Sequence, residues 1–232
     1  MIRGVTFDIG GTLSKGKLNE ERFFKDAVKA ISSLGYNVDV NAFKQALKKA
    51  KKKFKHLWLS GRETNFKEFY SLVLLDLGVK PEEELLKRLR NAYFDNLNMS
   101  ALPGAKKVIQ ILSRNLKLGI ISNSISGWPR IFLDREGITS YFDVISISCE
   151  IGWRKPHTKI FEVTLMKMGL KPWEVVHVGD DIICDVAGAK AMGMISVLVH
   201  KQSSILKFTN VRPDAIIVSL LELPRVLMEM DP

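Results

Sequence analysis

Asp8 stands at the end of a short apolar run, residues 2–7, and is followed at once by Ile9-Gly10-Gly11-Thr12-Leu13. A carboxylate in that place is aimed at a ligand. Open parallel sheets bind their ligands just past the carboxyl ends of the strands, and glycines let backbone N–H groups close in on an anion. Strand-ending turns carry Asp and Gly for structural reasons too, so three further segments decide the reading. Leu118-Gly119-Ile120-Ile121 runs into Ser122-Asn123-Ser124. A hydroxyl and a turn of amides there could hold the oxygens of an anion, or equally cap a helix. Lys155 precedes Pro156, which biases it away from helix and makes it a point charge for a phosphate or carboxylate. Finally, Asp180, Asp181 and Asp185 follow the buried run Val175-Val176-His177-Val178-Gly179. Hard oxygen ligands of this kind suit Mg²⁺. Complementing a helix dipole is the competing role for such acids. Metal binding is favoured because the neighbouring runs also end in functional groups. His177, inside the run, reads as structural.

The elements that must position these groups follow from periodicity. Residues 117–122, 142–147, 175–179, 194–199 and 215–218 read as short buried strands, with helical stretches between most of them. Such alternation predicts right-handed βαβ units in a mainly parallel sheet, which the run at 2–7 must join. Between Leu13 and about residue 100 the pattern is helical, with four helices and no strand. Phe23, Phe24, Ala27, Val28 and Ile31 mark the first helix. Phe43, Leu47, Ala50, Phe54 and Leu57 mark the second, at helical spacing. Asn65 is read as the N-cap of the third and Pro81 as the first turn of the fourth. The fold class is therefore α/β, a Rossmann-like sheet flanked by helices. The expected domains are a core of residues 1–14 and 101–232 and an inserted helical cap of 15–100.

The chain has 232 residues, a net charge of +10 and 46% hydrophobic residues, which suits a core domain with a smaller insert. The densest charge run is Lys48, Lys49, Lys51, Lys52, Lys53 and Lys55. These lysines fill the polar face of an amphipathic helix, so no nucleic-acid partner is expected. No apolar run is long enough to span a bilayer and no secretory pattern opens the chain, so no membrane partner and a cytoplasmic location are expected. Cys149 and Cys184 have no metal-type spacing and read as free thiols. Oligomeric state is not legible.

The four segments together resemble the haloacid dehalogenase superfamily of hydrolases, many of them phosphatases. The motifs occur in the family's order: Asp8-Ile9-Gly10-Gly11-Thr12, Ser122-Asn123, Lys155-Pro156, and Gly179-Asp180 with Asp185. The resemblance implies that Asp8 attacks phosphorus and forms an aspartyl-phosphate. It implies that Gly10, Gly11, Ser122, Asn123 and Lys155 bind the phosphorylated substrate, with Asp8, Ser122 and Lys155 catalytic. It gives Mg²⁺ to Asp8, the Gly10 carbonyl, Asp180 and Asp185, with Asp185 supporting the metal's waters or orienting Lys155. The helical insert corresponds to the family's mobile cap.

One position departs from the pattern. Family phosphatases carry a second aspartate two residues after the nucleophile, as acid/base for the leaving group. This chain has Gly10 there. A positioned acid/base supplies roughly 10²–10⁴-fold in rate. Water, Asp181 or a cap residue would have to replace it. The leading expectation is a Mg²⁺-dependent phosphatase of a small phosphorylated metabolite, of the sugar or triose phosphate type. The alternatives are a 2-haloacid dehalogenase or phosphonatase-type hydrolase using the same Asp8, and a weakly catalytic protein that binds a phosphorylated ligand.

Overall fold

A computed structural model describes residues 1–199 and 210–230. The chain divides into two compact units, Met1–Lys15 with Ser100–Pro232 and Gly16–Met99.

The first unit is built on a six-stranded sheet in the order β5-β4-β1-β6-β7-β8. The strands are β1 (Gly4–Phe7), β4 (Lys117–Ser122), β5 (Val144–Ile147), β6 (Val175–Gly179), β7 (Ile195–Val199) and β8 (Ala215–Ile217). Every neighbouring pair is parallel. A parallel sheet is covered on both faces, which is why its strands are unbroken apolar runs. All four residues of β1 are buried, and Val5, Phe7, Leu118, Ile120, Val176 and Val178 form its central core. Each such side chain contributes roughly 1.5–3 kcal/mol by leaving water. The helix Thr158–Met168 covers one face, with Ile160, Phe161, Leu165 and Met168 packed in one cluster with Ile121 and Val175.

Register decides where the strand ends fall. Phe7 lies opposite Ile120 of β4 on one side and Val178 of β6 on the other. Asp8, Ser122 and Asp180 therefore leave the sheet on the same edge, within a residue or two of one another. β1 is also where the strand order reverses, since β4 lies to one side and β6 to the other. Such a switch point opens a crevice at the carboxyl ends of an α/β sheet.

The second unit holds α1 (Glu20–Ser32), α2 (Val40–Leu59), α3 (Phe66–Asp76) and α4 (Glu83–Asp95). Its centre is aromatic. The Phe23 ring meets Phe43, Tyr70 and Tyr93 edge-on at 6.1, 6.1 and 5.5 Å between centroids, the arrangement that ring quadrupoles favour. Asn65 caps α3 in a reciprocal capping box with Glu68. Pro81 lies before the Glu82 N-cap of α4, just outside the first turn expected for it. The lysines of α2 are exposed, while Phe43, Ala46, Leu47 and Ala50 are buried.

The sequence reading of a strand-free insert needs correction. The chain passes from one unit to the other along β2 (Ser14–Leu18) and returns along β3 (Leu97–Ala101), and these pair as a two-stranded sheet. Neither strand has a β-branched apolar run, so neither gave a signal. Gly16 lets them pair. Its φ is +132°, and a Cβ there would lie 1.8 Å from the Asn98 carbonyl oxygen.

Candidate active site

Four segments of the α/β unit deliver the site. After β1 the chain folds back tightly over residue 9, whose carbonyl accepts from the N–H groups of Thr12, Leu13 and Ser14 and from the Ser14 hydroxyl. Asp8 N–H donates to the Val178 carbonyl at 2.9 Å, fixing the carboxylate beside β6. The two glycines of this loop are not alike. Gly11 has φ +85°, and a Cβ there would lie 2.1 Å from Asp180 Oδ2. Gly10 is exposed, does not have a positive φ, and a Cβ on it would meet nothing within 4 Å.

Lys155 is the hub. Its Nζ donates to Asp8 Oδ1 at 2.7 Å and to Asp185 Oδ1 at 2.6 Å, and only 2% of its side chain is exposed. A buried ammonium needs such partners. The Lys155 backbone is held as firmly. Its N–H donates to Asn123 Oδ1 at 2.8 Å, while Asn123 Nδ2 donates to the Lys155 carbonyl at 2.9 Å. The amide of Asn123 thus orients Lys155. Ser122, at the end of β4, is buried beside this pair in sequence. The loop after it is tied down where Ser124 N–H donates to Ser148 Oγ and Ser124 Oγ donates to the Ser126 carbonyl.

The third group is the carboxylates. One oxygen each from Asp8, Asp180 and Asp185 lie within 4.8 Å of one another. Thr12 Oγ1 donates to Asp180 Oδ1 at 3.3 Å. Asp185 Oδ1 also meets His177 Nε2 at 3.2 Å, and its Oδ2 accepts from Asp181 N–H at 3.0 Å. Asp181 sits apart in function. Its Oδ1 accepts from the N–H groups of Ile183 and Cys184, capping a π-helical turn over Ile182–Ala187.

The electrostatics are those of one cation among three carboxylates. Burial pushes Asp8 up to about 7, with the Asp185 and Asp180 carboxylates adding to the rise against the pull of Lys155. Burial, and then Asp185, raise Asp180 as well. Burial would also raise Asp185, yet Lys155 and His177 hold it well below the usual carboxylate range. For Lys155 burial acts downward, but Asp185 and Asp8 keep it above its ordinary value. A buried carboxylate whose proton is this hard to remove sits in a site short of positive charge. Oxygen ligands in such a cluster fit a hard divalent cation, so the residues present suit a metal.

Asp8, Lys155, Asp180 and Asp185 thus come together, as do Asn123 with Lys155 and Gly11 with Asp180. Thr6 and Thr12 were not assigned roles from sequence, and His177 was read as structural. Thr12 lies within the first motif and could have been found there. His177 and Thr6 carried no signal, because a polar residue inside a buried run shows its partners only in three dimensions.

A family model for haloacid dehalogenase-like hydrolases matches residues 2–193. A glyceraldehyde 3-phosphate phosphatase of Methanocaldococcus jannaschii is 32% identical, over 87% of this chain and 86% of that protein. A ribulose-1,5-bisphosphate 5-phosphatase of Halopiger xanaduensis is 28% identical, over 85% of this chain and 84% of that protein. Among solved structures, a 2-haloacid dehalogenase from Pseudomonas syringae superposes with a TM-score of 0.73 at 24% identity, covering 99% of this chain and 100% of that one. At that identity the superposition speaks for the fold. With its carboxylates and lysine gathered at the strand ends and the family model spanning most of its length, this chain belongs to the haloacid dehalogenase-like hydrolases.

Proposed function

We propose that the protein is a Mg²⁺-dependent phosphatase of a small phosphorylated metabolite, of the sugar or triose phosphate type. The observation that carries this is Lys155 Nζ bridging Asp8 and Asp185, with Asp180 completing a carboxylate cluster. The names of the relatives, one acting on a triose phosphate and one on a pentose bisphosphate, point to the same substrate class.

In this reading an oxygen of Asp8 attacks phosphorus, the bond to the ester oxygen breaks, and an aspartyl-phosphate forms. Ser122 and the amides of the Gly10-Gly11 turn bind phosphoryl oxygens. Lys155 places its charge between Asp8 and the incoming group, which is the positioning and charge stabilisation that phosphoryl transfer requires. Asp185 holds Lys155 in that place. Mg²⁺, held by Asp8, Asp180 and the Gly10 carbonyl near Asp185, would supply the positive charge the cluster lacks. The leaving alkoxide takes its proton from water, Asp181 or a residue of the helical unit, since position 10 has no side chain. Water then cleaves the acyl-phosphate, releasing inorganic phosphate and restoring Asp8. We assign the choice among substrates to the helical unit, which contains no member of the carboxylate cluster.

The test is a turnover screen of phosphate esters, a phosphonate and a 2-haloacid, each with Mg²⁺ and with excess chelator. Phosphate release from triose and sugar phosphates that needs the metal is the expected result. Halide release in chelator would replace the reading with dehalogenation. Binding without turnover in any arm would leave a ligand-sequestering protein.

A further inference from the structure

His177 lies on β6, directly opposite Thr6 of β1 in the parallel register. It is 1% exposed, in a residue class that is more often only partly buried. Its Nδ1 is 2.9 Å from Thr6 Oγ1 and its Nε2 is 3.2 Å from Asp185 Oδ1. The ring of Phe161 packs against it edge-on, at 5.2 Å and 87°. The imidazole is therefore held at both nitrogens and on one flank. A carboxylate oxygen only accepts, so the Nε2 hydrogen points at Asp185 Oδ1. That is the same oxygen that takes the Lys155 ammonium. The other oxygen of Asp185 accepts from Asp181 N–H. Gly179 leaves the room for this, because a Cβ there would lie 2.1 Å from Asp185 Cγ.

We infer that His177 is a positioning residue of the reaction: anchored by Thr6, it fixes Asp185 in the one place from which that carboxylate holds Lys155 against Asp8. The line runs Thr6, His177, Asp185, Lys155, Asp8, and each link is a hydrogen bond within the α/β unit. His177 touches neither Asp8 nor any reacting atom, so it acts through Asp185. The competing role for a buried histidine is packing alone. Packing would be satisfied by a ring of the same shape with no hydrogen to donate.

The inference rests on the phosphatase reading for its kinetic readout, and two comparisons separate it from packing and from failure of that reading. His177→Phe keeps an aromatic ring, though a larger one, and removes the donor, while His177→Gln loses the ring and keeps an N–H at similar reach. On p-nitrophenyl phosphate with Mg²⁺ we expect His177→Phe to lower kcat about 10–100-fold, as changes behind a first layer of ligands do, with KM changed far less. His177→Gln should recover most of that loss. In an Asp185→Asn background His177→Phe should cost little more, because the two residues act as a unit. The second readout needs no turnover. The Lys155 ammonium should give a slowly exchanging ¹H–¹⁵N signal, absent in Lys155→Met, broadened away in His177→Phe and restored in His177→Gln. Thr6→Val, which removes only the anchor, should weaken the same signal and stands in if His177→Phe does not fold. A wild-type protein without phosphatase activity would sink the phosphatase reading and leave the lysine signal to decide this one. Equal lysine signals in wild type and in His177→Phe or Thr6→Val, or equal kcat in the Phe and Gln variants, would overturn the inference.

Discussion

Asp8 carries two opposing demands, and both can be measured. In the proposed reaction it must be ionised to attack, yet burial holds its pKa near 7 against 3.8 for a free carboxyl. For an acid whose folded pKa is raised, the folded state keeps a proton that the unfolded state has lost. Stability therefore falls as pH rises from about 4 to about 7 and levels off above that. Asp8→Asn removes the effect. Thermal melts in chelator should show the variant more stable than wild type at pH 8 and the two converging near pH 4, while turnover is abolished. A variant that keeps wild-type turnover, or a stability gap that is constant with pH, would contradict the assignment of Asp8. Gly10 gives a second test. Because a Cβ at that position meets open space and the backbone is not left-handed, Gly10→Asp should fold without strain. It should raise turnover on alkyl phosphates, whose alkoxide must be protonated, more than on p-nitrophenyl phosphate. An unchanged ratio of the two rates in a folded variant would mean that the proton already has a protein source.

Local elements explain why neighbouring, similar residues have different tolerances. Gly10 and Gly11 are adjacent in one loop, but a Cβ on Gly11 would strike Asp180 and would sit on a φ of +85°. Gly11→Ala should cost roughly 1–3 kcal/mol through backbone strain and should displace Asp180, raising the Mg²⁺ concentration needed for half-maximal activity. Gly10→Ala should do neither; metal titrations of the two variants side by side make the comparison. At the far edge of the sheet, Asp214 fastens β8 to β7. Its Oδ2 accepts from Ser196 N–H and Oγ, and its Oδ1 from Lys190. Burial would raise its pKa, but these donors hold it below the ordinary value.

The chain passes between the α/β unit and the helical one along two paired strands. Any ligand that binds only the folded site stabilises it by mass action, about 2.7 kcal/mol at a hundredfold excess over Kd. Mg²⁺ should accordingly raise the melting temperature of the wild type, and Asp180→Ala should abolish the rise while leaving the melt in chelator little changed. A metal-dependent shift that survives in Asp180→Ala would place the ion elsewhere. Exchanging Gly16–Met99 for the corresponding segment of a relative should move substrate preference and spare the dependence on Asp8, if the helical unit chooses the substrate. Among the described residues no helix is long and apolar enough to cross a membrane.

The sequence by itself determined the family and the main strands of the α/β unit. Strands at 117–122 and 175–179 appear with the limits read from their apolar runs, because a buried parallel strand writes its whole length in consecutive side chains. Asp8, Asp180 and Asp185 stood out because each ends or follows such a run, and Lys155 because it precedes Pro156. β2 and β3 did not, since their pairing depends on Gly16 clearing the Asn98 carbonyl and not on any apolar pattern. Tertiary structure alone decided the partners. Lys155 reaches Asp8 across 147 residues and Thr6 reaches His177 across 171. Those contacts are fixed by strand order and register, which no local stretch encodes. They gave Asn123 the Lys155 backbone as its partner, engaged Asp181 Oδ1 as a cap, and separated the open Gly10 from the crowded Gly11.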